Sequence, residues 1–147
     1  MTNQSTTETV PRAEQLREID PERCRQLLEA SAYGRLATVD AGEPLLAVVN
    51  HVVDAGDVYL RTRWDSRLAR LTEGGRSARA VFEVDSAFPS GGIGWSVMAK
   101  GRLTREHGGT RAAALRSRLA TWARGERDVV LHLQIDELTG RSVGDLA

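Results

Sequence analysis

Apolar and polar positions along the chain follow two periods that alternate. Residues 1–17 hold few apolar side chains and cannot bury much area, which predicts a mobile tail. Asp20 and Pro21 then mark a helix start, with Asp20 suited to the N-cap and Pro21 to the first turn, where its missing N–H costs nothing. Cys24, Leu27, Leu28 and Ser31 fall at i, i+3, i+4 and i+7, one face of that helix. Cys24 on this face reads as a small core residue. From Gly34 the period shortens to two. Strands are expected over 34–39, 44–53 and 58–62, separated by the Asp- and Gly-containing turns 40–43 and 54–57. Three strands joined this way form an antiparallel meander.

A short helix is expected over 66–72, with Leu68 and Leu71 inward and Gly74 and Gly75 ending it. A fourth strand covers 78–84, a loop 88–92, and a long fifth strand 93–103 with Trp95, Val97 and Ala99 on one face. A second amphipathic helix covers 110–122, with Ala112, Leu115, Leu119 and Trp122 in register. The last strand is expected over 129–135, with room to run on to Arg141. The sum is a mainly β (α+β) domain over 18–147: a six-stranded antiparallel β-barrel with two to three peripheral helices. So small a barrel fills its interior with side chains. A sizeable ligand must then sit on an outer face or between two copies of the chain.

Composition narrows the classes of function. The 147 residues carry 20 basic and 20 acidic side chains, and this balance counts against a nucleic-acid surface. Cys24 is the only cysteine, which removes disulfides and thiolate metal sites and fits a reducing compartment. His51, His107 and His132 lack metal-ligand spacing, so no metal is expected. The polar N-terminus and the lack of a long apolar run predict a cytoplasmic protein without a membrane span. No nucleophile-elbow pattern supports a hydrolytic triad, and no catalytic residue stands out. The pairs Asp54 with Asp57 and Glu83 with Asp85 read as turn and edge residues.

One stretch, residues 60–68, concentrates chemistry. A strand delivers Arg61 and Thr62 to its end, and the chain turns into a helix at Asp65, Ser66 and Arg67. Free N–H groups at a helix start, two guanidiniums and two hydroxyls can together cradle a phosphomonoester. The same residues also fit a plain reading, in which Asp65 caps the helix and Arg63, Arg67 and Arg70 are solvated. Gly91, Gly92 and Gly94 precede a strand, not a helix, and read as a flexible loop, not a nucleotide fingerprint. Trp95 behind them suits either core packing or stacking on an aromatic ligand.

The ordered set of segments 33–38, 44–51, 58–62, 66–68, 94–102 and 135–141 resembles the pyridoxamine-phosphate-oxidase-like family, and its small actinobacterial flavin-binding members in particular. The resemblance spans roughly residues 20 to 141. It implies a split barrel that forms a homodimer, with one FMN at each end of the interface. On that template Arg61, Thr62, Ser66 and Arg67 hold the flavin phosphate, the family often having Lys where this chain has Arg67. Val48, Val49 and Asn50 line the isoalloxazine, Trp95 lies near the ring, and Trp122 reaches the partner chain's site. The implied function is an FMN-dependent oxidoreductase acting on a small organic substrate. The alternatives are a non-catalytic flavin or deazaflavin binding or storage module, and haem binding through His51 or His132. True pyridoxamine-phosphate oxidases carry a further C-terminal substrate-binding segment. The end of this sequence at Ala147 sets an expectation against that activity.

Overall fold

The structure, a computed structural model, describes residues 16–86, 94–119 and 125–144. Seven strands are present among them: β1 (Leu16–Glu18), β2 (Tyr33–Asp40), β3 (Glu43–Asp54), β4 (Asp57–Thr62), β5 (Ala78–Asp85), β6 (Gly94–Arg105) and β7 (Val129–Val143). Three α-helices accompany them: α1 (Pro21–Ala30), α2 (Arg67–Leu71) and α3 (Gly109–Arg118), with a 3₁₀ turn at Glu73–Gly75. All pairings are antiparallel, in the order β1-β7-β4-β3-β2-β5-β6, and β6 also pairs with β7. The six expected strands, β2 to β7, therefore close on themselves as a split β-barrel.

Closure rests on β7. Its first five residues pair with β4, its last three pair with β1, and β6 runs along its opposite edge from Arg105–Leu131 to Gly94–Val143. The register shifts between Lys100 and Gly101, where Asp136 is left as the extra residue of a bulge. Gly101 is required there, because a Cβ would lie 1.8 Å from the Gln134 carbonyl oxygen.

The barrel interior is filled by alternate residues of each strand, among them Leu36, Leu60, Phe82, Val97, Leu103 and Leu131, all fully buried. Leu27 and Leu28 of α1 and Leu68 and Ala69 of α2 join this cluster. Cys24 belongs to it as well, buried as expected. Helix α3 instead builds a second, smaller core outside the barrel from Tyr59, Leu115, Leu119 and Val130. Strand β4 is thus covered on both faces, with Val58, Leu60 and Thr62 inward and Tyr59 under α3.

Three boundaries differ from the sequence reading. Leu16 and Arg17, read as tail, form β1 with Glu18. All three side chains are exposed, so this strand is made by backbone bonding and leaves no hydrophobic period to read. Helix α2 is capped by Ser66, not Asp65: the Ser66 hydroxyl accepts from the Ala69 N–H at 3.0 Å, while Asp65 faces Arg63. Helix α3 ends at Arg118, and Leu119 has left helical geometry. The expected extension to Trp122, the loop 88–92 and most of the tail lie outside the described residues.

Candidate functional site

The sheet opens where β3 and β4 separate. Their pairing covers only four steps, from Asp54–Asp57 to His51–Leu60. Before that, β3 belongs to β2 through the pairs Asp40–Glu43 to Tyr33–Asn50, while β4 continues along β7 to Thr62. Val48, Asn50, Arg61 and Thr62 therefore stand where the two strands part, and the turn from Arg63 to Ser66 and helix α2 follow directly. That turn is closed by the Ser66 N–H donating to the Arg63 carbonyl at 3.1 Å.

Each predicted phosphate ligand has a definite place here. Thr62 is buried, and its hydroxyl donates to Ser66 Oγ at 2.8 Å. Ser66 Oγ also accepts from the Ala69 N–H, so its own proton remains to be donated outward. Thr62 is therefore a positioning residue and Ser66 the donor. Arg67 is exposed, with its Nε 2.8 Å from Asp40 Oδ2. Such a surface ion pair is worth at most about 1 kcal/mol, so this guanidinium is available to a stronger anion.

Arg61 differs from the expectation of a surface ligand. It is half-buried, and its guanidinium donates to three main-chain carbonyls: Arg127 at 2.7 Å, and Arg116 and Leu119 at 3.3 Å each. Two of these carbonyls belong to the C-terminal end of α3, where a cation is favoured. Arg61 fastens α3 and the following segment to β4. Helix α2, at five residues, has too few aligned peptides for a substantial dipole, so the positive charge of the region comes from arginine side chains.

The ring-lining residues separate as well. Val48 is 66% exposed on the outer face. The inward Val49 packs against the barrel core, leaving only its backbone to a ligand. Asn50 Nδ2 donates to the Ala32 carbonyl at 3.3 Å. Trp95 is half-buried against the core at the start of β6, with β2 and β5 between it and β3, and its main-chain N–H donates to Ser86 Oγ. The structure thus gathers Thr62, Ser66 and Arg67 around the start of α2, keeps Val48 and Asn50 on β3, turns Arg61 toward α3, and leaves Trp95 apart. Trp122 lies outside the described residues.

Several polar groups escaped the sequence reading. Asp54 receives both Arg111 (3.0 Å) and Arg118 (2.7 Å), holding α3 over the β3–β4 turn. Arg111 also donates to the Tyr59 hydroxyl at 2.7 Å, and Tyr59 stacks on His132 with ring centroids 4.5 Å apart. His132 Nε2 lies 2.7 Å from Asp57. These pairs link positions more than fifty residues apart, so no local pattern announces them. Trp64 is the other omission, 71% exposed in the turn between Arg63 and Ser66. Glu83 and Asp85, read as edge carboxylates, share Arg35, at 3.5 and 3.0 Å. Burial, and then the neighbouring Asp85, raise the Glu83 carboxyl above its ordinary range.

His51 points into the barrel. Its Nε2 lies 2.9 Å from the Leu28 carbonyl, its ring meets Phe82 edge-on, and its Nδ1 is buried without a partner. Nε2 must carry the proton to satisfy Leu28, and both nitrogens lie inside the protein, an unsuitable position for a haem ligand. No group of metal-ligating side chains occurs among the described residues, and no described helix is long and apolar enough to cross a membrane.

A closed split barrel that parts at β3–β4, with hydroxyl and guanidinium groups beside the parting, defines a split-barrel class of β protein. The family model for pyridoxamine 5'-phosphate oxidase matches residues 20–142, and the chain belongs to that family. An uncharacterised protein of Mycobacterium tuberculosis is 29% identical over 136 residues, covering 90% of each chain. A FAD-binding protein from Mesorhizobium loti has the same fold, with a TM-score of 0.73 and 18% identity over 90% of this chain and 99% of that one. A FAD and heme binding protein from Mycobacterium smegmatis matches with a TM-score of 0.65 and 18% identity, over 91% of this chain and 77% of that one.

Burial pushes the His51 imidazole below its ordinary value of about 6.5. The unfolded chain therefore takes up a proton that the folded chain refuses as pH falls through about 6.5, and stability declines from there toward the lower folded value. Urea unfolding at several pH values between about 7 and 5 is expected to show this loss, with at most about 1.4 kcal/mol per pH unit attributable to His51. His51→Gln should be less stable at neutral pH and should show a shallower acid slope. An unchanged slope in the variant would contradict the buried neutral assignment.

Proposed function

We propose that this protein binds a flavin by its phosphate at the parting of β3 and β4, with the ring along the β3 segment from Val48 to Asn50. The observation that carries this reading is that β4, just past the end of its pairing with β3, leads directly into Ser66 and Arg67, whose polar groups keep capacity for an anion. The Ser66 hydroxyl has one proton left to donate, and Arg67 is engaged only by an exposed carboxylate. Thr62 fixes Ser66 in place, and Arg61 adds positive potential from behind while holding α3. Family membership supports the reading, as do relatives of this fold named for binding FAD. FMN is the flavin that the family resemblance implies.

When bound, a flavin supplies its own electron and hydride chemistry. The chain's residues hold and orient it: Arg67 and Ser66 at the phosphate, and Val48 and the β3 backbone at the ring. No histidine or cysteine faces the parting among the residues described above, so the side chains there position and exclude water and do not act as nucleophiles. An oxidoreductase acting on a small organic molecule fits this arrangement, in the cytoplasm. The same lack of an acid or base favours flavin storage as the second reading, and turnover of bound flavin by a reduced donor decides between them.

We further propose a homodimer, through the outer face of β2 and β3. Val39, Leu46 and Val48 are 59%, 67% and 66% exposed there, and Ala37 and Pro44 pair with Leu46 and Val39 across the strands. A groove of about 350 Å³ beside them is lined by Ala37, Val39 and Val81. A contiguous apolar face of this kind is a protein-contact surface. Leu46→Asp with Val48→Asp is expected to convert the dimer to a monomer by light scattering, and a wild-type monomer would refute the assignment.

For the flavin site, Arg67→Ala should weaken FMN binding roughly tenfold or more, corresponding to about 1.5–3 kcal/mol for a charged hydrogen bond. Riboflavin, which lacks the phosphate, should bind wild type and variant alike. Arg61→Ala should instead lower unfolding stability by about 1–3 kcal/mol, because it leaves three part-buried carbonyls without their donor. FMN affinity that is indifferent to Arg67 would remove the phosphate site.

A further inference from the structure

Strand register orders the outer face of the sheet into rows that cross β3, β2, β5 and β6. In one row Val48 lies opposite Arg35, Arg35 opposite Glu83 and Glu83 opposite Met98. In the next, Leu46, Ala37, Val81 and Lys100 follow one another in the same way. One row further, Pro44 lies opposite Val39, and Arg79 opposite Arg102. Asp85 shares the face of Glu83, because side chains on one side of a strand recur at every second residue. Pairing therefore fixes where the charges stand around the apolar patch of Val39, Leu46 and Val48.

These charges separate by sign. At one end Arg35 serves two carboxylates, Asp85 at 3.0 Å and Glu83 at 3.5 Å, which leaves one negative charge in excess. Arg141, farther out on β7, lies opposite Glu18 of β1 and leaves that excess unchanged. At the other end stand three cations, Arg79, Lys100 and Arg102. Arg79 pairs with Asp136 and Lys100 with Glu137, both as exposed pairs, and Arg102 has no carboxylate partner among the described residues. One positive charge is thus in excess there, and Arg79 and Lys100 also border the groove of about 350 Å³ beside the apolar patch.

A face with this pattern complements a second copy of itself in one sense of rotation. A two-fold axis along the strands would set each end against the same end of the partner and gather charge of one sign. An axis that crosses the strands, between the Arg35–Glu83 row and the Ala37–Val81 row, turns the partner end for end. Val48 then meets the partner's Leu46, Asp85 meets the partner's Arg79, and Glu83 comes beside the partner's Lys100. A two-fold makes every such contact twice. Opposed charges fix register and like charges penalise the wrong one.

We propose that a second copy of this chain docks by the crosswise two-fold, its basic end of Arg79 and Lys100 on the acidic end of Glu83 and Asp85. The proposal rests on the dimer reading above and specifies which charges pair across the interface.

The test measures the size of the full chain by light scattering, with circular dichroism confirming the fold. Glu83→Lys with Asp85→Lys, and separately Arg79→Glu with Lys100→Glu, should each weaken the dimer at least about tenfold by opposing like charges. Mixed in equal amounts, the two variants should form a dimer again, since each now carries the complement of the other, and native mass spectrometry should identify a heterodimer. Wild-type dimer should weaken as salt is raised. The neutral pairs Glu83→Gln with Asp85→Asn and Arg79→Gln with Lys100→Gln should flatten that dependence, and they decide the matter where a reversal costs the fold. A wild-type dimer indifferent to the reversals, folded reversal variants that stay apart when mixed, or a salt dependence that survives the neutral pairs overturns the charge register and leaves the apolar interface standing. A wild-type monomer overturns the dimer reading itself.

Discussion

A strand inside a sheet must satisfy hydrogen-bonding groups along both edges, and in this protein one strand, β7, does so for the whole barrel. Over its 15 residues it meets β6 along one side, and β4 and then β1 along the other. Strand β4 carries β7 on one edge and β3 on the other, with Val58 to Leu60 paired to both, while Arg61 and Thr62 pair with β7 alone and leave the edge toward β3 open. The bulge opposite Gly101 lets β6 and β7 stay paired through the turn that closure demands. The interior is filled with side chains, most of them aliphatic, which leaves the opening and the outer faces as the places where a ligand can be held.

Polar groups near the opening divide according to what already engages them. Arg61 serves the carbonyls of α3, Thr62 serves Ser66, and Asp65 is occupied by Arg63. Arg61 and Thr62 would cost more to redirect than to leave in place, since a part-buried donor or acceptor without its partner is expensive, whereas Asp65 is held by an exposed pair. Ser66 and Arg67 are different, because the Ser66 hydroxyl keeps a proton to donate and Arg67 is held only by an exposed carboxylate. This division separates residues that build the site from residues that can touch a ligand, a distinction that residue type alone does not make.

Much of the architecture was legible in the sequence. The six barrel strands fall within a few residues of the places where the two-residue period put them, and the start of α1 at Asp20 and Pro21 is as read. Strand β1 was not legible, since three exposed residues carry no period. The N-cap of α2 was misassigned because Asp65 and Ser66 are both good caps, and only the competing pull of Arg63 decides between them. Within the site, the clustering of Thr62, Ser66 and Arg67 followed from sequence proximity. The role of Arg61 did not, because its partners lie 55 to 66 residues away.

The central claim is that a flavin is held at the parting of β3 and β4. The most direct measurement is the visible absorption spectrum of the full chain after mixing with FMN and removing the excess by gel filtration. A flavin band that co-elutes with the protein and is perturbed relative to free FMN is the predicted result. Protein that elutes without flavin under conditions where it is folded would contradict the account.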